Sequence, residues 1–349
     1  MGITVPEYIT GEYAVGTSCF SVTDNSRKEL LGSAQGNRKI AVRLYYPAPK
    51  AAVGGMPRAE VFSPRKMAAV KKAFHIKPIT DENILNARFY ENAPHAEGKF
   101  PLVLFSSGYN SFIEANNFLC CEFASNGYFV ASVGHANEFV ENDYEDGTFD
   151  LFDKKINKLM YDNILAAMIS QRNLLKAKLS DEEAAQRFDE FQRKHTPYIM
   201  GRVEQWASDE LCVLAELKSR CAEYIDFSRG AAASGHSLGG AAAYYLCHHS
   251  EEIVCGINID GGIFGDYTGM TMKKPFLQFS CKENYNVETR SLINTEAYVQ
   301  SEIFSGMTHM GFTDVKFFMP SKLLTGKMDG VEMYKRLSSC HLDFLNKYL

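Results

Sequence analysis

Gly235-His236-Ser237-Leu238-Gly239 sets a serine between two glycines, the G-x-S-x-G pattern of a nucleophile held on a tight strand-to-helix turn. Side chains at the two flanking positions would obstruct such a turn, which is why glycine stands on both sides. A bare match arises by chance in about one chain in ten, so its surroundings matter. The motif follows a candidate strand and opens a helix whose first residues, Gly239 to Ala243, are all small. A serine hydroxyl is a poor nucleophile at neutral pH and needs a base, usually a histidine oriented by a carboxylate, in the chain order Ser, acid, His. Four histidines follow Ser237. His248 and His249 lie about three helical turns on, roughly 15 Å away, too far to take its proton. His341 has the look of a helix residue. His309, in the loop signature Ser305-Gly306-Met307-Thr308-His309-Met310-Gly311, is therefore the expected base. Two acids compete. Asp260 follows Ile257-Asn258-Ile259 and Glu283 follows Phe276 to Ser280, each at the C-terminal end of a candidate strand, where such sheets place their sites. Pattern alone leaves that choice open.

These residues need a sheet to hold them. Lys39 to Pro47 reads as a strand, and Leu102-Val103-Leu104-Phe105, a helix from about Glu114 to Ser125, and Tyr128 to Val133 read as a βαβ unit. Strand and helix alternate again after Arg229: Ala231 to Ser234, Gly239 to His248, Val254 to Ile259, Phe276 to Phe279, and a closing helix from about Gly330 to Tyr348. The strand at Ala231 runs against β propensity. Residues 150 to 225 are mostly helical and charged, with a capping box at Ser180 and Glu183. They exceed any single crossover and predict a helical excursion over the sheet. Pro64 to Ile76 predicts a short basic amphipathic helix, with Met67, Val70 and Phe74 on one face and Ser63 as its cap. The fold expected is α/β: one mostly parallel, doubly wound sheet flanked by helices, in a single domain over 1–349.

The chain has 349 residues, 46% hydrophobic and 23% charged, with a net charge of −5, which excludes a disordered or collagen-like chain. It lacks the basic excess that binding of a phosphate backbone draws on, so no nucleic acid partner is expected. Nine cysteines without C-x-x-C or zinc-ligand spacing suit reduced thiols in a cytoplasmic setting, with no metal or cofactor. No apolar run reaches the roughly 18 residues of a membrane span, and Met1 to Glu7 carries no legible address.

Taken together, the residues resemble the platelet-activating factor acetylhydrolase family of serine esterases. The likeness rests on Val42-Arg43-Leu44-Tyr45-Tyr46-Pro47, Phe100 to Gly108, Asn126-Gly127-Tyr128-Phe129-Val130, Gly235 to Ala241, Cys255 to Asp260 and Gly306-Met307-Thr308-His309. It implies an α/β-hydrolase fold, a triad of Ser237, Asp260 and His309, and oxyanion-hole N–H groups on Leu238 and Tyr109. It favours Asp260 over Glu283 and implies cleavage of short acyl esters, including sn-2 acyl groups of phospholipids. One departure is that Ser107-Gly108 stands where the family usually has His-Gly, which bears on the acyl pocket. Asn110 in that loop and His135 at the end of its strand are candidates for substrate contact, a structural hydrogen bond being the simpler reading of His135. The helix at Lys66 to Phe74 falls near the family's lipid-surface helix, which raises a weak membrane-surface contact beside the simpler reading of a helix packed on the core. The rival readings are the same triad on other esters, a non-catalytic binding module, and C–C or epoxide hydrolysis.

Overall fold

A computed structural model of the protein describes residues 9–29, 36–74, 89–160, 164–318 and 321–349; Met1 to Glu7 lies outside them. Its strands are β1 (Ala14–Glu29), β2 (Gly36–Ala48), β3 (Phe89–Glu91), β4 (Leu102–Ser106), β5 (Phe129–Val133), β6 (Glu141–Asp143), β7 (Phe149–Leu151), β8 (Ala231–His236), β9 (Ile253–Ile259), β10 (Phe276–Cys281) and β11 (Val299–Phe304). Nine of them form one sheet in the order β11-β10-β9-β8-β4-β5-β2-β1-β3. From β5 to β11 every neighbouring pair is parallel, while β2 runs antiparallel to both β5 and β1.

The helices are α1 (Pro64–Phe74), α2 (Asn117–Ser125), α3 (Lys154–Met160), α4 (Ile164–Lys176), α5 (Asp181–His195), α6 (Pro197–Arg220), α7 (Leu238–His249), α8 (Val315–Phe318) and α9 (Gly330–Tyr348). Both faces of the sheet are covered, so its central strands read as unbroken apolar runs. Along β4, Val103 and Phe105 join the core beneath α1, α2 and α9, while Leu102 and Leu104 join the core beneath α6 and α7. The alanines of β8 are fully buried between β4 and β9. Tertiary packing here overrides weak β propensity, because small side chains let α7 lie close to the sheet.

Two sequence expectations change. The α1 helix forms with Ser63 Oγ accepting the Lys66 N–H at 3.2 Å, and its predicted residues 75–76 lie outside the described residues. Its apolar stripe, however, is turned inward: Val70 is buried and Met67 and Phe74 pack on the core. Arg65 pairs with Glu141 and Lys66 with Glu114. The anticipated lipid contact thus has no large apolar side chain on this helix's outer face to use. The second change is at the sheet edge, where β11 was not anticipated. Its sequence, Val-Gln-Ser-Glu-Ile-Phe, is too polar to read as a buried strand.

Candidate active site

The site is assembled at the C-terminal ends of β8, β9 and β10 and in the loop after β11. At the end of β8 the chain turns sharply at Ser237, which holds φ 57° and ψ −120°, a strained conformation for a residue with a side chain. Hydrogen bonds fix it: the Ser237 N–H donates to the Ile259 carbonyl at 2.9 Å, and the Ala241 N–H donates back to the Ser237 carbonyl at 3.1 Å. The glycines make room for the turn. A Cβ on Gly239 would stand 2.0 Å from the Ser106 carbonyl oxygen, and one on Gly235 would stand 2.6 Å from the same atom.

Ser237 Oγ lies 2.9 Å from His309 Nε2, and His309 Nδ1 lies 2.7 Å from Asp260 Oδ2. Asp260, at φ 56° directly after β9, accepts the Cys281 N–H at 2.5 Å and an Asn284 amide N–H at 2.8 Å. Burial pushes its carboxyl up, but the His309 ring and these N–H donors outweigh that and hold it below the usual carboxylate range. Asp260 is therefore charged at neutral pH and orders the imidazole with Nε2 facing the serine. Glu283 is exposed on the loop after β10, and Asp260 occupies the position beside the ring.

Three further groups brace the arrangement, none of them anticipated from sequence. Asn284 holds Asp260 from the loop after β10. His236, inside the glycine motif itself, donates from Nε2 to the His309 carbonyl at 3.0 Å. Burial and the neighbouring His309 ring push His236 down to about 3 against the opposing pull of Asp260, so it is a neutral support. Asn258 donates to the Gly261 carbonyl at 2.7 Å and accepts the Gly261 N–H at 2.9 Å, clamping the turn that carries Asp260. The legible signal for His236 was its place in the motif.

The triad opens on a cavity of about 500 Å³. Leu238 and Tyr109, the expected oxyanion residues, lie in its wall together with Ser237, Asp260 and His309. The rest is mainly apolar and comes largely from the excursion: Met168 of α4, Phe188 and Phe191 of α5, Ile199 of α6, and Phe264 after β9. The capping box that marks α5 is present, with Ser180 and Glu183 bonded reciprocally. The excursion is thus one wall of the cavity.

His135 and Asn110 are not brought to it. His135 is fully buried, stacked on Trp206 with ring centroids 3.7 Å apart. Its Nδ1 lies 2.8 Å from Asp209 and its Nε2 3.0 Å from Ser106 Oγ. The strand end that suggested substrate contact turns this ring inward, toward a buried ion network that includes Arg38. Asn110 sits in an exposed turn at φ 56°, its N–H donating to the Glu138 carbonyl at 2.9 Å.

The fold and the family are shared with known proteins. A solved ferulic acid esterase from Streptomyces cinnamoneus superposes with a TM-score of 0.75 at 20% identity, covering 100% of this chain and 93% of its own, which establishes the shared fold. A platelet-activating factor acetylhydrolase of Gallus gallus is 25% identical over 272 residues, 72% of this chain and 62% of that protein. One of Cavia porcellus is 24% identical over 280 residues, 74% and 60% respectively. The chain thus spans about three-fifths of the length of these curated relatives. The model of the family "Platelet-activating factor acetylhydrolase, isoform II" matches residues 2–349, and the chain belongs to that family.

Proposed function

We propose that the protein is a serine carboxylester hydrolase acting on short acyl esters, with sn-2 acyl groups of phospholipids among them; the relatives' name, platelet-activating factor acetylhydrolase, supports a short acyl group. The observation that carries this reading is the unbroken line from Ser237 Oγ through His309 to Asp260 at the edge of an apolar cavity. Ser237 Oγ attacks the ester carbonyl carbon while His309 Nε2 takes its proton. Asp260 stabilises the imidazolium. The N–H groups of Leu238 and Tyr109 hold the oxyanion of the tetrahedral intermediate. His309 then gives the proton to the departing alkoxide, leaving an acyl group on Ser237. A water molecule, deprotonated by His309, attacks that acyl carbon and releases the acid.

A second reading keeps the mechanism and changes the substrate. A cavity of about 500 Å³ falls in the range that encloses whole drug-sized ligands, far more than an acetyl group fills, and its aromatic wall suits a bulkier acyl or alcohol portion. Initial rates on p-nitrophenyl acetate, butyrate, octanoate and palmitate and on a phospholipid with a short sn-2 acyl chain test both. The proposal expects turnover of acetate, butyrate and phospholipid. Preference for octanoate with no phospholipid turnover selects the second reading, and no ester turnover at all overturns both.

A further inference from the structure

A buried carboxyl behind the triad has no part in the mechanism above. Glu288 lies between two one-turn helices, Tyr285–Val287 and Thr289–Leu292, and is only 1% exposed. Its backbone is fixed there: the N–H donates to the Tyr285 carbonyl at 3.0 Å, and the carbonyl accepts the Ser291 N–H at 3.1 Å and the Ser291 hydroxyl at 2.9 Å. No cation pairs with its side chain among the described residues. Arg290, two positions on, is held by Asp189 at 3.0 Å.

The hydrogen bonds around this carboxyl decide where its proton lies. Oε2 accepts the Ser280 hydroxyl and, at 3.1 Å, the Gln278 side-chain N–H. Gln278 is itself oriented, because its Oε1 accepts an N–H of Asn258 at 3.0 Å. Oε1 of Glu288 is buried with no donor facing it, yet the carboxyl is hydrogen-bonded to that of Asp260. Two carboxyl groups share such a bond only when one of them carries a proton. Asp260 already accepts from the Cys281 N–H, the Asn284 amide and the His309 ring, all of which favour its charged form, so the proton belongs to Glu288. Burial, and then the charge of Asp260, push the Glu288 carboxyl well above the usual carboxylate range against the pull of Ser280 and Gln278. Cys281, the other ionisable group beside the pair, is kept neutral by burial, which pushes its thiol up.

We infer that Glu288 is a positioning residue for the triad: carrying its proton on Oε1, it donates to the Asp260 carboxylate and so sets the orientation and basicity of the acid that steadies His309. This role presupposes the triad proposed above. A donor on the carboxylate disperses its charge, so losing it makes Asp260 a stronger partner for imidazolium and raises the pH at which His309 gains its proton. That pH is followed by NMR of the full chain with labelled histidine, a readout independent of turnover. Glu288→Gln offers the same oxygen to Ser280 and Gln278 and an N–H to Asp260, and should leave the His309 midpoint unchanged. Glu288→Leu removes the donor, and Glu288→Asp withdraws the carboxyl by one methylene, a smaller change that guards against a variant that does not fold. Each should raise the midpoint by about half a pH unit or more and lower kcat on p-nitrophenyl butyrate about tenfold. A midpoint that falls in Glu288→Gln would overturn the inference, because it would mean that wild-type Glu288 carries a negative charge. A wild-type midpoint in both Glu288→Leu and Glu288→Asp would overturn it as well, by leaving Glu288 a packing role alone. If the midpoints move as expected while wild type hydrolyses no ester, the positioning role stands and the esterase reading fails.

Discussion

Asp260 and Glu283 each follow a strand of the parallel sheet, and only the first meets the imidazole. Asp260→Asn keeps the shape and removes the charge that stabilises imidazolium and sets its tautomer, a change that costs about 10⁴ in turnover where such an acid has been replaced. Glu283→Gln should leave ester hydrolysis within about twofold. Steady-state rates of the two variants on one soluble ester decide the assignment, and the reverse ranking would move the acid to Glu283. Acid also exposes the role of Asp260 in folding. Its carboxyl is held below the usual range, so its contribution is complete above the ordinary carboxylate value and is lost as pH falls through the lowered one. Ser237 and His309 were legible because a glycine-flanked serine and a loop histidine late in the chain carry local signals. The acid was not legible by pattern alone, since two carboxylates at strand ends look alike until the chain is folded. Asn284 acts through a long-range contact that no local pattern announces, and His236 carries no local sign of its bond to the His309 carbonyl beyond its place in the motif.

Elements differ in how plainly they were written. The β4 and β5 strands and the α2 helix were readable because covered parallel strands are continuous apolar runs. The chain enters the strand before the elbow as alanine, chosen for the closeness of α7 and not for propensity, and so it was readable only through the motif that follows. That closeness gives a prediction. Gly239→Ala would set a methyl 2.0 Å from the Ser106 carbonyl oxygen, a clash with backbone that the chain relieves only by moving the elbow. Denaturant unfolding should show a loss of about 1–3 kcal/mol or more, with ester turnover reduced further than stability alone explains. A variant with wild-type midpoint and rate would contradict the packing described for this turn. The excursion was expected as helices over the sheet, yet its part in the cavity depends on where Phe188 and Phe191 fall in three dimensions, and spacing does not convey that.

At the scale of the whole molecule, a buried polar network lies between the sheet and α6. Arg38 bonds Asp209 at 2.8 and 2.6 Å, Asp209 meets His135, and Ser106 lies 2.8 Å from Glu210. Ser106 ends β4, immediately before the loop that carries Tyr109, so the network anchors one side of the site. Burial, with Asp209 adding to it against the Ser106 hydrogen bond, pushes the Glu210 carboxyl up to about 8. It then stays protonated in the folded chain while the unfolded chain ionises near pH 4.3, so stability falls as pH rises from there toward 8. Glu210→Gln should flatten that fall, seen as a smaller drop in thermal midpoint between pH 5 and pH 8. An unchanged slope would place the pH dependence elsewhere.

All these scales meet in one claim, that Ser237 is a nucleophile activated by His309. Labelling by a fluorophosphonate, with the modified peptide mapped by mass spectrometry, tests it most directly. A single adduct on Ser237 is expected in wild type, its formation slowed by orders of magnitude in His309→Ala and absent in Ser237→Ala. An unlabelled wild-type chain, or an adduct that persists at another serine when Ser237 is replaced, would contradict it.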